Sequence, residues 1–460
     1  MLMPGHYLKV RLDRLGTGEQ IQEKKYWEID FPDAGDEVRG NETKLIDELE
    51  ARMLTAVEKR LRADVPVVSY LSGGVDSGVV VALASHVRQS PIPSFTIRIK
   101  TPELDEVALA SVAAKHIGTE PIVVDVGAEE VLNTYPRLIQ AAEAPVVDTS
   151  CAALLLLAQE VNRRGYKVAL TGEGADEWLA GYPWYKVHRV LSWLDVIPGI
   201  NLSQGVRRLF VKLTGGPTFS KARVKQVLEA VGGSNAWLDI YGLMSLSKLR
   251  FFHPDVLQSL EDHIPYNDLK PNLDRIRRWH PLNRGLYYAG RIHLPGLLLN
   301  AKGDRIAMHS SLETRYPFLD EDVVSFLAGL HPRLKFKRLK EKYILRKMAQ
   351  RWLPKEVAVR RKAMFRAPFD SFHLDNAPEH IRELLSDESL RKTGYFNLES
   401  VRHWQTAFKN LREGSSQRIS IEMGLAGVVS TQLWHHLFID DSLTSLPGWK
   451  PQQLATVGSP

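Results

Sequence analysis

Residues 66–77 read Pro-Val-Val-Ser-Tyr-Leu-Ser-Gly-Gly-Val-Asp-Ser and run directly into Gly78-Val79-Val80-Val81-Ala82-Leu83. A β-branched run, a glycine turn and a helix-forming run form the pattern of a strand feeding a loop at a helix N-terminus. Such a loop aims backbone N–H groups and the positive end of the helix at one point, which suits a polyphosphate. Gly73 and Gly74 let an anion approach the backbone closely. Ser72 and Ser77 add hydroxyl donors, and Asp76 offers a hard oxygen to Mg2+. The loop lacks the lysine of the Gly-x-x-x-x-Gly-Lys-Ser/Thr phosphate loop, and that pattern occurs nowhere in the chain.

Outward from this loop, apolar runs and helical periodicity alternate. Strands are expected at 66–71, 93–99, 121–126 and 166–171, with helices at 76–89, 105–117, 128–142 and 151–164. That alternation predicts an α/β fold with a parallel sheet covered on both faces. Ligands of such sheets bind beyond the carboxyl ends of the strands, where the glycine turns 72–74 and 172–174 both fall. They are candidates for one shared site. Residues 1–40 read as a strand-and-loop arm in which Tyr7-Leu8-Lys9-Val10 alternates, and 41–185 as the nucleotide-binding core. Asn41 should cap a helix to about Arg62, with Leu45, Ile46, Leu49, Met53, Val57 and Leu61 on one face. Residues 186–440 read as mainly helical, with helices expected at 221–231, 286–300, 304–311, 320–330 and 340–351, and 441–460 as a loose tail.

Residues 171–182 read Thr-Gly-Glu-Gly-Ala-Asp-Glu-Trp-Leu-Ala-Gly-Tyr. This approaches a dinucleotide fingerprint, but Glu177 stands at the third glycine position. Three carboxylates within five residues repel one another unless a cation lies among them. They would repel a bare dinucleotide and accept Mg2+–ATP.

The 460 residues are 44% hydrophobic and 25% charged, an ordinary composition for a folded enzyme. No uninterrupted apolar stretch is long enough to span a bilayer, and Met1–His6 lacks the pattern of a signal peptide. A single cysteine, Cys151, permits no internal disulfide and fits a reducing, cytoplasmic setting. It reads as a small buried residue. Residues 331–366 hold fourteen Lys/Arg against Glu341 and Glu356. Without interleaved aromatics the run reads as a solvated face with one or two lysines aimed at phosphate, and it disfavours a nucleic-acid partner.

Ser72–Ser77 resembles the signature of the pyrophosphate-loop ATP pyrophosphatases. With Ser94–Ile97, Asp105-Glu106, Gly172–Glu177, Gly181-Tyr182, 304–320, 342–346 and Arg361-Lys362, most of the chain resembles the synthetase domain of asparagine synthetase (glutamine-hydrolysing). The resemblance implies a five-stranded parallel sheet of the adenine nucleotide α-hydrolase-like type. It implies ATP-dependent activation of the aspartate side-chain carboxylate as an acyl-adenylate, which ammonia then attacks. By position, Leu71, Ile97, Thr171 and Gly172 would line the adenosine pocket. Ser72, Gly73, Gly74 and Ser77 would hold the pyrophosphate, and Asp76 and Asp176 would take Mg2+. Glu173 and Lys362 would be catalytic, Glu173 as proton acceptor and Lys362 as a charge near the α-phosphate. Glu313 and Arg315 read as structural braces.

A glutamine-dependent enzyme opens with a glutaminase domain whose N-terminal cysteine is the nucleophile. Here position 2 is Leu2, and Met3–Leu8 resembles only the end of such a domain. The expectation is a chain that uses free ammonia, a separate glutaminase subunit or another amine, and that leaves room for a homodimer. β-Lactam and macrolactam synthetases share the scaffold with other carboxylates and amines, and several tRNA-modifying enzymes share the first loop. A non-catalytic binding protein is a third class.

Overall fold

The computed structural model describes residues 2–14, 20–100, 105–193, 203, 205–207, 209, 220–238, 247–260, 263–360, 377–412 and 415–446. Two strands, β1 (His6–Val10) and β2 (Ile21–Lys25), pair antiparallel from His6↔Lys25 to Val10↔Ile21. Tyr7, Leu8, Val10 and Ile21 on this hairpin are exposed, whereas Ile29 and Phe31 beyond it are buried in the core. Helix α1 (Glu42–Leu61) starts where expected, its first turn capped by Asn41, whose Oδ1 accepts the Lys44 N–H at 3.2 Å.

The main sheet has five parallel strands: β3 (Val67–Tyr70), β4 (Ser94–Ile99), β5 (Pro121–Val126), β6 (Val168–Leu170) and β7 (Glu313–Arg315). Their order is β5-β4-β3-β6-β7. The chain runs outward from β3 to β5 and then returns to the other side of β3, so the strand order reverses between β3 and β6. The helices of this half are α2 (Val75–Arg88), α3 (Val107–Ile117), α4 (Ala128–Ala142) and α5 (Ser150–Arg163). Adjacent residues enter opposite cores, as a two-residue period requires. Val67, Val168 and Leu170 pack with α1 and α2, while Val68 and Ala169 pack with α4 and α5. The four strands and four helices read from the sequence all form within two residues of their expected ends.

The second half departs more. The span expected as one helix at 286–300 is an α-helix, Pro281–Tyr288, followed by π-helical turns over Ala289–Leu298 and Asn300–Asp304. The helix expected from 340 begins only at Tyr343, because Arg338, Leu339 and Lys342 adopt positive φ. A 23-residue helix, Ser416–Phe438, buries Ile421, Leu425, Val429 and Leu433 against α4 and the 247–251 turn. No helix among the described residues is long and apolar enough to cross a membrane.

β7 was not expected as a strand. Its Arg315 explains why the edge holds: Nη1 donates to the carbonyls of Arg60 (2.8 Å) and Arg62 (2.7 Å) at the end of α1, and Nε meets Glu313 Oε1 at 2.7 Å. Helix-end carbonyls have no partner in their own helix. Arg315 therefore ties the last strand to the first helix, which is a brace.

Candidate active site

Both glycine turns lie at the carboxyl ends of β3 and β6, on either side of the reversal in strand order. Leu71 is buried and fixed by its N–H to Phe95 O at 2.8 Å. The loop then closes on itself through Ser77, whose Oγ accepts the Ser72 N–H (3.1 Å), donates to Ser72 O (3.0 Å) and lies 3.0 Å from Ser72 Oγ. α2 starts immediately, with Gly74 at its N-cap and no side-chain cap on the first turn. A helix start left uncapped keeps N–H groups available to an anion. Gly73 is tightly enclosed: a Cβ there would lie 2.5 Å from Leu109 Cβ and 2.7 Å from Arg360 Nη1. Ile97, on neighbouring β4, is buried beyond the last paired rung of β3 and β4.

The second turn leaves β6 through Thr171, whose N–H bonds Arg315 O at 3.0 Å. Gly172 follows, then Glu173, half-buried, with its N–H 3.4 Å from Thr171 Oγ1. Gly174 has φ +97° and faces Leu319, which lies 2.5 Å from where a Cβ would stand, so glycine is required twice over. A short helix, α6 (Ala175–Trp178), then carries Asp176 and Glu177 inward. The two turns touch. A Cβ on Gly172 would stand 2.8 Å from Ser77 N and 3.0 Å from Asp76 Cβ.

Asp76 and Asp176 converge on one cation, Lys342, at the head of the stretch 342–346. Lys342 Nζ lies 2.6 Å from Asp76 Oδ2 and 2.5 Å from Asp176 Oδ1. Asp76 Oδ1 is buried with no hydrogen-bond partner among the described residues. An orphaned carboxylate oxygen beside a second carboxylate fits Mg2+, a hard cation that takes oxygen ligands. Among the described residues no group of three His, Cys, Asp or Glu could hold a metal. A cation here would complete its shell from phosphate and water, as Mg2+ does in nucleotide sites.

The crowding of three carboxylates is resolved by separating them. Glu177 points away into the interior, fully buried, and accepts a hydrogen bond from Tyr182 Oη. Burial first, and then the charges of Asp176 and Glu173, push its pKa up to about 8. Tyr182 stacks on Trp184 at 4.1 Å, with His293 edge-on to both.

Within reach of the charge of Glu173 stands a second ion pair, Asp148–Lys302. Neither residue was singled out in the sequence. Asp148 Oδ1 accepts from Ser150 N (3.0 Å) and Oγ (2.6 Å) at the start of α5, and Oδ2 meets Lys302 Nζ at 2.7 Å. Lys302 sits on the second π-helical turn, beside Gly303, whose backbone (φ −121°, ψ −111°) breaks the helix. π turns recur at functional sites because they re-aim side chains. Cys151 lies next to this pair, buried, and burial and then Asp148 raise its thiol pKa well above the ordinary value. It is the small buried residue expected.

Lys362 lies outside the described residues. Among the described residues of the basic run, four more form separate ion pairs: Lys337 with Glu42, Arg346 with Glu341, Arg351 with Asp47 and Glu50, and Arg360 with Glu106. Lys335 is fully buried.

An asparagine synthase family model matches residues 48–436. The amidase chyE of Penicillium rubens is 27% identical over 427 residues, covering 86% of this chain and 62% of that protein. Asparagine synthetase [glutamine-hydrolyzing] 1 of Bacillus subtilis is 26% identical over 442 residues, covering 95% and 65%. A putative asparagine synthetase [glutamine-hydrolyzing] of Mycobacterium tuberculosis is 29% identical over 408 residues, covering 88% and 59%. The chain thus spans about three fifths of the length of these relatives.

Proposed function

This chain is a member of the asparagine synthase family, and from that premise we propose that it is an ATP-dependent ligase forming a carbon–nitrogen bond. Its first candidate substrate is the side-chain carboxylate of aspartate, activated as an acyl-adenylate and passed to ammonia, free or delivered by a separate glutaminase. The observation that carries this reading is the contact of the two strand-end turns. It brings Asp76, from the loop that cradles phosphate, together with Asp176, from the loop that carries Glu173.

In this reading a carboxylate oxygen attacks the α-phosphorus of ATP and pyrophosphate leaves. Backbone N–H groups of Ser72–Ser77 and the hydroxyls of Ser72 and Ser77 hold the departing pyrophosphate. Leu71, Ile97, Thr171 and Gly172 line the adenosine. Asp76 and Asp176 would hold Mg2+, which would offset charge on the phosphate oxygens. The amine nitrogen then attacks the acyl carbon, AMP departs, and Glu173 takes the proton that the nitrogen loses. Lys362 offsets charge at the α-phosphate.

ATP–pyrophosphate exchange with a panel of carboxylates, aspartate included, tests the first half-reaction. Exchange with aspartate that is lost in Asp76→Ala while the fold is kept supports the reading; no exchange with any acid overturns it. Amide formation with ammonium and none with glutamine in the purified chain supports an outside nitrogen source. A second reading, the same chemistry on another carboxylate, is favoured by the similarity to proteins named amidases. Exchange with a different acid in place of aspartate would select it.

A further inference from the structure

Lys342 is delivered to the acidic pair with unusual commitment. It comes from a segment 266 residues away from Asp76 and is itself 1% exposed, against 13% and 10% for the side chains of Asp76 and Asp176. Its backbone is left-handed (φ 53°, ψ 37°), a region that non-glycine residues rarely occupy. Its N–H is fixed to Leu179 O at 3.0 Å, and the helix Tyr343–Ala349 starts from it. Gly181 makes room: a Cβ there would overlap Asp176 Oδ1 and Lys342 Cε. Of the three donors of the Lys342 ammonium, one goes to Asp76 Oδ2, while Asp176 Oδ1 lies at ion-pair distance.

We propose that Lys342 is the internal counter-cation of the nucleotide–metal pocket, holding Asp76 and Asp176 together without metal and yielding their oxygens when metal and nucleotide enter. The inference rests on the ligase reading for the identity of the nucleotide, but not for the competition itself. Two buried carboxylates this close repel unless a positive charge lies between them. Nζ contacts one oxygen of each. A divalent cation claiming the same oxygens meets a like charge at contact distance, so lysine and metal cannot both hold them. Asp76 Oδ1, buried and without a partner among the described residues, gives the incoming ion a first foothold. The displaced ammonium is left beside the loop that cradles phosphate, where the phosphate chain is its natural acceptor. The competition makes bare metal binding weak and nucleotide-assisted binding strong.

Mn2+ binding to the full chain, measured by electron paramagnetic resonance and calorimetry without nucleotide, tests this. Lys342→Met is expected to bind Mn2+ at least tenfold more tightly than the unaltered chain, and Lys342→Arg to remain near it. Melting temperature should fall in Lys342→Met without metal and recover with Mn2+. Unchanged or weaker Mn2+ binding by folded Lys342→Met overturns the proposal. Failure of both Lys342→Met and Lys342→Gln to fold in saturating Mn2+ also overturns it, because a divalent ion should replace the lysine between the carboxylates. The readout needs no turnover. A chain that exchanges no pyrophosphate yet shows the competition refutes the ligase reading alone; one that exchanges but shows none refutes only the role of Lys342.

Discussion

Lys302 and Asp148 form an ion pair at 2.7 Å that is largely removed from solvent and sits beside Glu173 at the first turn of α5. Burial alone would raise the Asp148 pKa and lower that of Lys302. Their mutual attraction outweighs burial in both, holding Asp148 below and Lys302 above its ordinary value. Losing one partner of such a pair strands the other charge, at a cost of about 3 kcal/mol or more. Lys302→Met should therefore lower stability to denaturant by that order. The double variant Asp148→Asn/Lys302→Met should recover much of the loss, since neither charge remains. In ATP–pyrophosphate exchange Lys302→Met should raise KM for the carboxylate substrate and leave KM for ATP near normal, because under the proposed function Glu173 serves the acyl side of the reaction and its charge is felt at Lys302.

Gly172→Ala tests whether the two turns must touch. Its Cβ would press on Ser77 N and Asp76, and overpacking of this kind costs about 1–3 kcal/mol. The expected result is a lower melting temperature together with weaker ATP binding in calorimetry. Gly329→Ala is the control, since nothing lies within 4 Å of its added methyl at the end of the helix Glu321–Gly329.

Arg360 donates to Glu106 at 2.8 Å and its other terminal nitrogen packs on Gly73. Under the proposed function, this guanidinium beside Gly73 would be within reach of pyrophosphate held by Ser72–Ser77. A charge-assisted hydrogen bond of about 1.5–3 kcal/mol corresponds to a roughly tenfold to hundredfold effect. Arg360→Gln should weaken inhibition by added pyrophosphate by about that factor. Inhibition unchanged from the parent chain would remove Arg360 from the site.

The sequence was most legible where structure is local. The run 66–77 states its strand, turn and helix within twelve residues, and the period of Leu45, Ile46, Leu49, Met53 and Val57 states the buried face of α1. The acidic pair was also legible, because each carboxylate sits in its own strand-end turn. Long-range partners were not. Lys342 is one of fourteen basic residues in 331–366, with nothing local to mark it or Lys335 as buried, and Asp148 and Lys302 are 154 positions apart. β7 is three residues long and pairs only with β6, so its identity as a strand depends on Arg315 reaching α1. The π turns at 289–304 carry an ordinary helical pattern, and their winding is set by packing rather than propensity.

Lys335 gives the clearest pH dependence. It is fully buried, its ammonium donating to Asn283 Oδ1 (3.0 Å) and Ala328 O (3.1 Å) over the ring of Phe31. Burial, opposed only weakly by Glu37, brings its pKa down to about 7 from an ordinary 10.5. Between these values the unfolded chain binds the extra proton, so Lys335 makes stability rise with pH from about 7 upward, and its full cost applies below 7. At one pKa unit per about 1.4 kcal/mol the whole effect is on the order of 4–5 kcal/mol. Glu177 acts oppositely: with its pKa raised to about 8, the folded chain binds the extra proton between about 4.5 and 8, and stability falls as pH rises through that window. Denaturant unfolding of the parent chain and Lys335→Met at pH 7, 8 and 9 separates the two. The methionine variant should be the more stable at pH 7, and its advantage should shrink steadily by pH 9. A constant difference across that range would mean that Lys335 stays charged in the folded chain.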